Sequence, residues 1–470
     1  MRYVCLIVVW ANLLSAQSFQ GSLRGRIVDP NGAAIPNAIV SVTDEGTAIA
    51  RRTVSSDDGL YNFAALMPAT YRITVEADGF KRAESAGVVV ATQAAVTLDI
   101  TLQLGQVSES INVVSETNEI ETASVSNGQT IDRQKLIDLP NLGRNPFMLS
   151  KLSEGVVQVG NPKFNRMQDQ SGSSQISIAG GPVRGNNYTL DGISITDSLN
   201  RAVIIPTPEA VQDMKVQSNT YDAEIGRTGG GIFNTFLRSG TNQMHGSALG
   251  YIRETGLLAN NFFSNRAGTP IIDQPFRNYG GSIGGPVRIP KLYDGRNRTF
   301  FWISGEAYRQ TESAGTRLNV PTMLERAGDF SQTNSVVAGS TAQQIIYDPQ
   351  SISSVGPRTA FPGNIIPASR ISPIGRAMAS YYPVPNVAGV TRYGQLNYDA
   401  TVAAYNRADQ TTWKVDHELF PWWRASASYL HYGSREPANA WWGGVATPGQ
   451  GVLFRKVDAT QVNSTFTPSA

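Results

Sequence analysis

The clearest pattern in the chain is a strict two-residue alternation in its C-terminal half. Trp413 and Val415 fall on one face, and Thr412, Lys414, Asp416 and Glu418 on the other. Such a period marks a strand whose two faces meet different surroundings. After Phe420-Pro421 the pattern returns over residues 423–433, with Ala425, Ala427 and Tyr429 opposite Arg424, Ser426 and Ser428. Between Arg298 and Arg309, Phe301, Ile303, Gly305 and Ala307 oppose Ser304, Glu306 and Tyr308. The apolar face could pack on a core in water, or meet lipid while the polar face lines a lumen. Trp422 and Trp423 stand at the turn between two strands, where aromatic girdles belong.

Residues 21–104 follow a different rhythm. Short strand-like runs at Ser22–Val28, Ile39–Thr43, Arg51–Ser55, Leu60–Phe63, Tyr71–Ala77 and Val96–Leu104 are separated by Asp29-Pro30-Asn31-Gly32, Asp57-Asp58-Gly59 and Asp78-Gly79. Those are turn formers for steric reasons. Several short strands at close spacing predict a small antiparallel β-sandwich.

From 105 the character changes again. A polar linker, 105–128, holds one apolar island, Ile111-Asn112-Val113-Val114. Residues 131–140 repeat apolar positions near helical spacing and stop at Pro140. Gln175–Gly181 and Asn187–Ile193 read as short strands, followed by Pro208–Val216 and a triple glycine at 229–231. Between Thr311 and about Asn406 lies a long Pro- and Gly-rich stretch without period, and loops of that length are usually functional.

Composition narrows the class. Charged residues make up 16% of 470, below the usual quarter, and the net charge of +2 gives no footing for nucleic acid. Val4–Leu14 is almost wholly apolar, follows Arg2 and ends in Ser15-Ala16, which predicts a secretory signal over 1–16. That stretch is short of the roughly 20 residues that span a bilayer as a helix. Cys5, the one cysteine, lies inside it, so a mature chain would carry neither disulfides nor thiolate metal sites.

Two resemblances follow from these residues. Leu23-Arg24-Gly25-Arg26-Ile27-Val28-Asp29, Ile35-Pro36-Asn37-Ala38, Asp58-Gly59-Leu60-Tyr61-Asn62-Phe63 and Met67–Ile73 together resemble the carboxypeptidase regulatory-like domain, whose fold is similar to starch-binding modules. Arg144-Asn145, Leu190-Asp191-Gly192, and Ala223-Glu224-Ile225-Gly226-Arg227 running into Arg238-Ser239-Gly240-Thr241-Asn242 resemble the plug of TonB-dependent receptors, in particular the Oar-like group. Ile225 stands where that family more often has an aromatic residue, and Arg238 where it more often has lysine. The resemblance implies a plug over 129–243, the start of an outer-membrane barrel over 244–470, and an extracellular loop at about 311–406. Glu109-Ser110-Ile111-Asn112-Val113-Val114-Ser115 resembles a TonB box, an extended segment able to add itself to a partner's sheet edge; an ordinary linker strand is the alternative.

Other motifs carry no chemistry. His417-Glu418 begins like a zinc-peptidase motif, but Pro421 occupies the place of the second histidine. Gly280-Gly281-Ser282-Ile283-Gly284 has the spacing of a nucleophile elbow, yet it sits inside what reads as one strand, Phe276–Pro286. No catalytic, cofactor-binding or metal-binding residue is predicted.

The expected fold is therefore mostly β: an N-terminal antiparallel sandwich, an α+β plug, then an incomplete antiparallel transmembrane barrel. The function the resemblance implies is uptake of a large ligand (siderophore, carbohydrate or peptide), powered by the proton gradient through TonB, at the outer membrane, with sandwich and plug toward the periplasm. An adhesion or signalling protein that displays its loops without transport is the alternative, and a secreted binding protein a third. Five or six spanning strands are legible against about 22 for such transporters. The sequence is accordingly expected to be a fragment that does not insert stably alone.

Overall fold

The computed structural model describes residues 19–105, 110–112, 128–159, 175–218, 226, 228–260, 262–266, 268, 270–271, 273–337, 340–351, 356, 358–389, 396–438, 440–448 and 451–467. The predicted signal, 1–16, lies outside them, as does most of the motif at 223–227.

The N-terminal unit is built from β1 (Gly21–Val28), β2 (Ile39–Asp44), β3 (Ala50–Val54), β4 (Leu60–Leu66), β5 (Ala69–Glu76), β6 (Arg82–Val90), β7 (Ala95–Thr97) and β8 (Ile100–Thr101). One sheet joins β4, β1, β7 and β8; the other runs β3-β2-β5-β6 and ends on β9 (Ser110–Asn112). Most pairs are antiparallel, while β1 pairs in parallel with β7 and β8. Inward residues of both sheets, among them Leu23, Ile27, Val40, Val42, Phe63, Ile73, Val75 and Val88, close one core. The runs read from sequence coincide with β1 to β5, the single run Val96–Leu104 spans both β7 and β8, and β6 has no counterpart among them. Its Arg82-Ala83-Glu84-Ser85 start is polar, and Gly87 takes a positive φ at a register shift, so the alternation is broken midway.

The second unit carries a five-stranded sheet ordered β10 (Gly128–Ile131), β15 (Val211–Ser218), β16 (Gly231–Leu237), β13 (Asn187–Leu190), β14 (Ile193–Ser194). A side ladder pairs β11 (Val156–Gln158) with β12 (Ile176–Ile178). Helix α1 (Arg133–Asp138) starts where the helical spacing begins, capped by Asp132, whose carboxylate accepts from the Lys135 N–H at 2.8 Å. The chain leaves the helix at Leu139, just before Pro140. Phe147, Tyr188 and Phe233 form the centre of the core, with ring centroids 4.7–5.2 Å apart.

The third unit is one open antiparallel sheet of six strands: β17 (His245–Arg253), β18 (Phe276–Pro286), β21 (Thr299–Leu318), β24 (Tyr398–Phe420), β25 (Trp423–Pro437) and β26 (Val452–Phe466). Two short hairpins, β19 (Arg288–Ile289) with β20 (Tyr293–Asp294) and β22 (Asn334–Val337) with β23 (Ser340–Gln343), decorate its connections. The elbow-like glycines lie mid-strand in β18, paired to β17 and β21, where no strand-to-helix turn exists. A Cβ at Gly284 would run into the Trp302 indole opposite it, which accounts for glycine there.

β21 and β24 extend past the point where the alternation fades, pairing from Thr299↔His417 to Leu318↔Tyr398. The connecting stretch is thus 319–397, shorter than the 311–406 expected. At about 3.4 Å per residue these strands exceed what a bilayer requires. Outside hydrocarbon neither face need be apolar, so the ladder continues while the sequence signal disappears.

Candidate functional site: the plug seated against the strand wall

The six-stranded wall divides its side chains as its pattern predicts. Tyr279, Ile283, Trp413, Val415, Tyr429 and Val462 stand exposed on one face. Trp302, Ser304, Glu306, Gln410, Thr412, Lys414, Asp416 and Ser428 are buried on the other. What buries them is the second unit. Its core is continuous with the wall's Ala408, Leu430 and Tyr432, and Tyr308, Val457 and Ala459 pack against it. At the turn end Phe420, Trp422, Trp423 and Phe466 form a stacked and edge-to-face aromatic group, with centroids as close as 4.9 Å.

Two charged locks cross this interface. The first starts at the turn between β13 and β14. Asp191 and Gly192 both take positive φ (45° and 81°), the conformation of a two-residue type I′ hairpin, which favours Asp-Gly. This turn aims the Asp191 carboxylate at Lys414 Nζ, 2.9 Å away, with both side chains 1% exposed. Lys414 also donates to the Leu237 carbonyl at 2.9 Å and lies over the Phe236 ring, and Asp191 accepts from the Leu237 N–H at 2.8 Å. Burial pushes the Asp191 carboxyl above its usual range, against the opposing pull of Lys414. Nearby, Asn463 donates to the Asp191 carbonyl and Gln410 to the Ile205 carbonyl, at 3.1 and 3.0 Å.

The second lock centres on Glu209, at a 3-10 turn entering β15. Arg133 and Arg144 approach its carboxylate at 3.4 and 3.5 Å, and wall residue Ser247 donates to it at 2.9 Å. Arg144 reaches past it to Glu306 on β21, Nε to Oε1 2.9 Å, where Asn278 also donates. Trp302 donates its indole N–H to the Glu209 carbonyl at 3.1 Å, and the Arg238 guanidinium stacks over the same indole at 3.9 Å. Arg144 and Arg238, both in the motifs singled out from sequence, are thereby placed at the interface. Glu209 and Trp302 were not singled out as interface residues. Glu306 and Lys414 were legible only as polar-face positions, since their partners lie more than a hundred residues away.

The seven-residue partner segment is placed in part. Ser110–Asn112 form β9, a parallel edge strand on β6, with Ser110 opposite Arg82, Ile111 opposite Ala83 and Asn112 opposite Glu84. Glu109, Val113, Val114 and Ser115 lie outside the described residues. His417, the start of the discarded zinc motif, bonds Thr299 Oγ1 across the β21–β24 ladder at 2.7 Å.

Comparison with known proteins agrees with this architecture. Residues 236–470 match the outer membrane beta barrel domain family, and residues 22–103 match the carboxypeptidase regulatory-like domain. Over 304 residues the chain is 25% identical to the TonB-dependent transporter Oar of Myxococcus xanthus, a match covering 61% of this chain and 27% of that protein. The chain thus spans about a quarter of that relative's length. Among solved structures, a protein described as carbohydrate-binding from Bacteroides uniformis (21% identity, 18% of this chain, 41% of that one) aligns with TM-score 0.16. Catechol 1,2-dioxygenase from Acinetobacter (15% identity, 21% of this chain, 57% of that one) also gives 0.16. Overlaps this slight bear on neither fold nor chemistry. With its sandwich, plug and strand wall in that order, the chain belongs to the outer membrane beta barrel domain family.

Proposed function

We propose that this protein is the receptor of an active uptake system, in which a large extracellular ligand (of siderophore, carbohydrate or peptide type) is admitted when TonB pulls on the plug. The observation that carries this reading is the plug's seating. A lumen-type face of alternating strands is filled by a separate folded unit, held by buried ion pairs beside a limited apolar contact at Ala408, Leu430 and Tyr432. Such pairs cross a lumen without fusing plug and wall, because their net contribution is small once desolvation is counted.

The same reading orients the molecule. The sandwich sits at the turn end of the wall, beside Pro421, Trp422 and Trp423, and on this reading that end faces the periplasm. The 319–397 connection then faces outward as a ligand-contacting loop. Ser110–Asn112, within the TonB-box-like segment, lies on the periplasmic side, where strand addition to TonB requires it. The outer membrane has no nucleotide supply, so the proton gradient of the inner membrane is the energy source.

The test is accumulation in cells producing the full-length protein, with and without TonB. A ferric siderophore, a fluorescent oligosaccharide and a fluorescent peptide serve as probes. Uptake of at least one that is lost without TonB is expected. Surface binding of a probe with no TonB-dependent entry would favour adhesion or signalling instead.

A further inference from the structure

The face of the plug sheet turned away from its core is polar yet buried. Asp213, Lys215, Gln217 and Asn234 lie on it, with Phe236 beside them, and none is more than 6% exposed. The sandwich covers them with the loop 91–94 that follows β6. Thr92 is fully buried and donates both its hydroxyl and its backbone N–H to the Asp213 carboxylate, the latter at 3.3 Å. The Gln93 carbonyl accepts from Lys215 Nζ at 3.1 Å, and the Gln93 side chain accepts from Asn234. Phe19 stacks on Phe236 with centroids 5.2 Å apart. At its rim, Asn242 donates its backbone N–H to the Gly46 carbonyl at 2.9 Å and its side-chain amide to the Thr47 carbonyl at 2.8 Å.

Chain length adds a mechanical asymmetry. The sandwich is anchored to Gly105, whose N–H bonds the Gly79 carbonyl at 3.1 Å. From Gly105 to Ser110 the chain can extend about 17 Å, whereas from Asn112 to Gly128, the first residue of the plug sheet, it can extend about 55 Å. β9 shortens the first path further by pairing with β6, the strand that leads straight into loop 91–94. The chain path from Ser110 to the sandwich is thus at most about a third as long as the path from Asn112 to the plug.

We propose that the sandwich is the load-bearing adaptor of this protein: tension on Ser110–Asn112 is delivered through loop 91–94 to plug strand β15 at Asp213 and Lys215. This rests on the reading that Ser110–Asn112 is where the energy-transducing partner takes hold. The sandwich is then neither a spacer nor a passive binding module. It fixes where on the plug force enters, and it does so on the strand pair β15–β16, whose opposite face carries Met214, Val216 and Phe233 of the plug core.

The test is single-molecule pulling on the full-length protein in a supported lipid bilayer, attached through Ser110→Cys in a Cys5→Ser background. Plug rupture is identified by the length of chain it releases. In the otherwise native protein the first plug rupture is expected before the chain between Asn112 and Gly128 is fully drawn out to its length of about 55 Å. Thr92→Ala with Gln93→Ala should delay it by tens of ångströms, while Thr92→Ser, which keeps the hydroxyl, should not. Unchanged heat-modifiable mobility of the alanine variant shows that the wall and plug still assemble. An unchanged rupture position in that variant, or a native rupture seen only beyond the full tether length, overturns the proposal. The measurement needs no partner, so its failure is distinct from TonB-independent uptake, which would overturn the reading beneath it.

Discussion

Asp191 and Lys414 face each other at 2.9 Å across the boundary between plug and wall, each withdrawn from solvent. One belongs to a tight hairpin and the other to the polar face of a long strand. Neither can be left alone at low dielectric without a large desolvation penalty. The pair thus specifies how the plug sits more than it adds stability.

Lys414→Met should leave the Asp191 carboxylate buried without its partner and loosen the plug by roughly 3–5 kcal/mol. Asp191→Leu combined with Lys414→Met should recover much of that loss. Current through the full-length protein in planar bilayers, together with protease sensitivity of the plug, would report it. Equal damage from the single and double variants would show that the pair is not a local lock.

Trp302→Ala should be more damaging than any other single change on β21. The indole is 1% exposed, donates to the Glu209 carbonyl and carries the Arg238 guanidinium. Large-to-small changes at such sites cost about 3–5 kcal/mol. Thermal loss of heat-modifiable mobility is the readout, and Phe301→Ala on the opposite face provides the comparison.

The sandwich–plug contact should weaken as pH rises through about 6. Burial, opposed by the Thr92 hydrogen bonds and assisted by the Asp191 and Asp132 carboxylates, pushes Asp213 up to about 6 from 3.8. The docked state holds the proton more tightly than an undocked, solvated one. Its contribution is complete below 3.8 and is lost as pH climbs to about 6, a difference on the order of 3 kcal/mol. Proteolytic release of the sandwich from the full-length protein, followed between pH 4.5 and 7.5, should rise with pH. Asp213→Asn should flatten the profile.

A positive charge on the outward face should disturb insertion where the same charge on the inward face is already used. Val415→Lys is expected to destabilise the membrane-inserted form by about 2–4 kcal/mol if the site lies near the bilayer centre. Lys414, the next residue, is native. Urea unfolding in lipid vesicles measures the difference.

The alternating strands were legible because lipid and lumen impose opposite demands on successive residues, and Trp413, Val415, Thr412 and Lys414 satisfy both. The Leu190-Asp191-Gly192 turn was legible because two consecutive positive φ values restrict the sequence. β6 was not, since its polar start and Gly87 erase the period. Nor were the partners of Glu209, Glu306 and Lys414. Each is set by how a folded plug meets a wall, and no local spacing encodes that meeting. The covering of Asp213 by Thr92 falls in the same class. A threonine in Ala91-Thr92-Gln93-Ala94 looks like any other loop residue until the plug is placed against it.

The central claim is that the exposed face of the wall lies in lipid while its buried face holds the plug. Single-tryptophan forms of the full-length protein, reconstituted with brominated lipids, test it directly. Trp413, on the exposed face, should be strongly quenched by bromine in the acyl chains, and Trp302, under the Arg238 guanidinium, should be untouched. Quenching of Trp302, or a Trp413 indifferent to brominated acyl chains, would contradict the account.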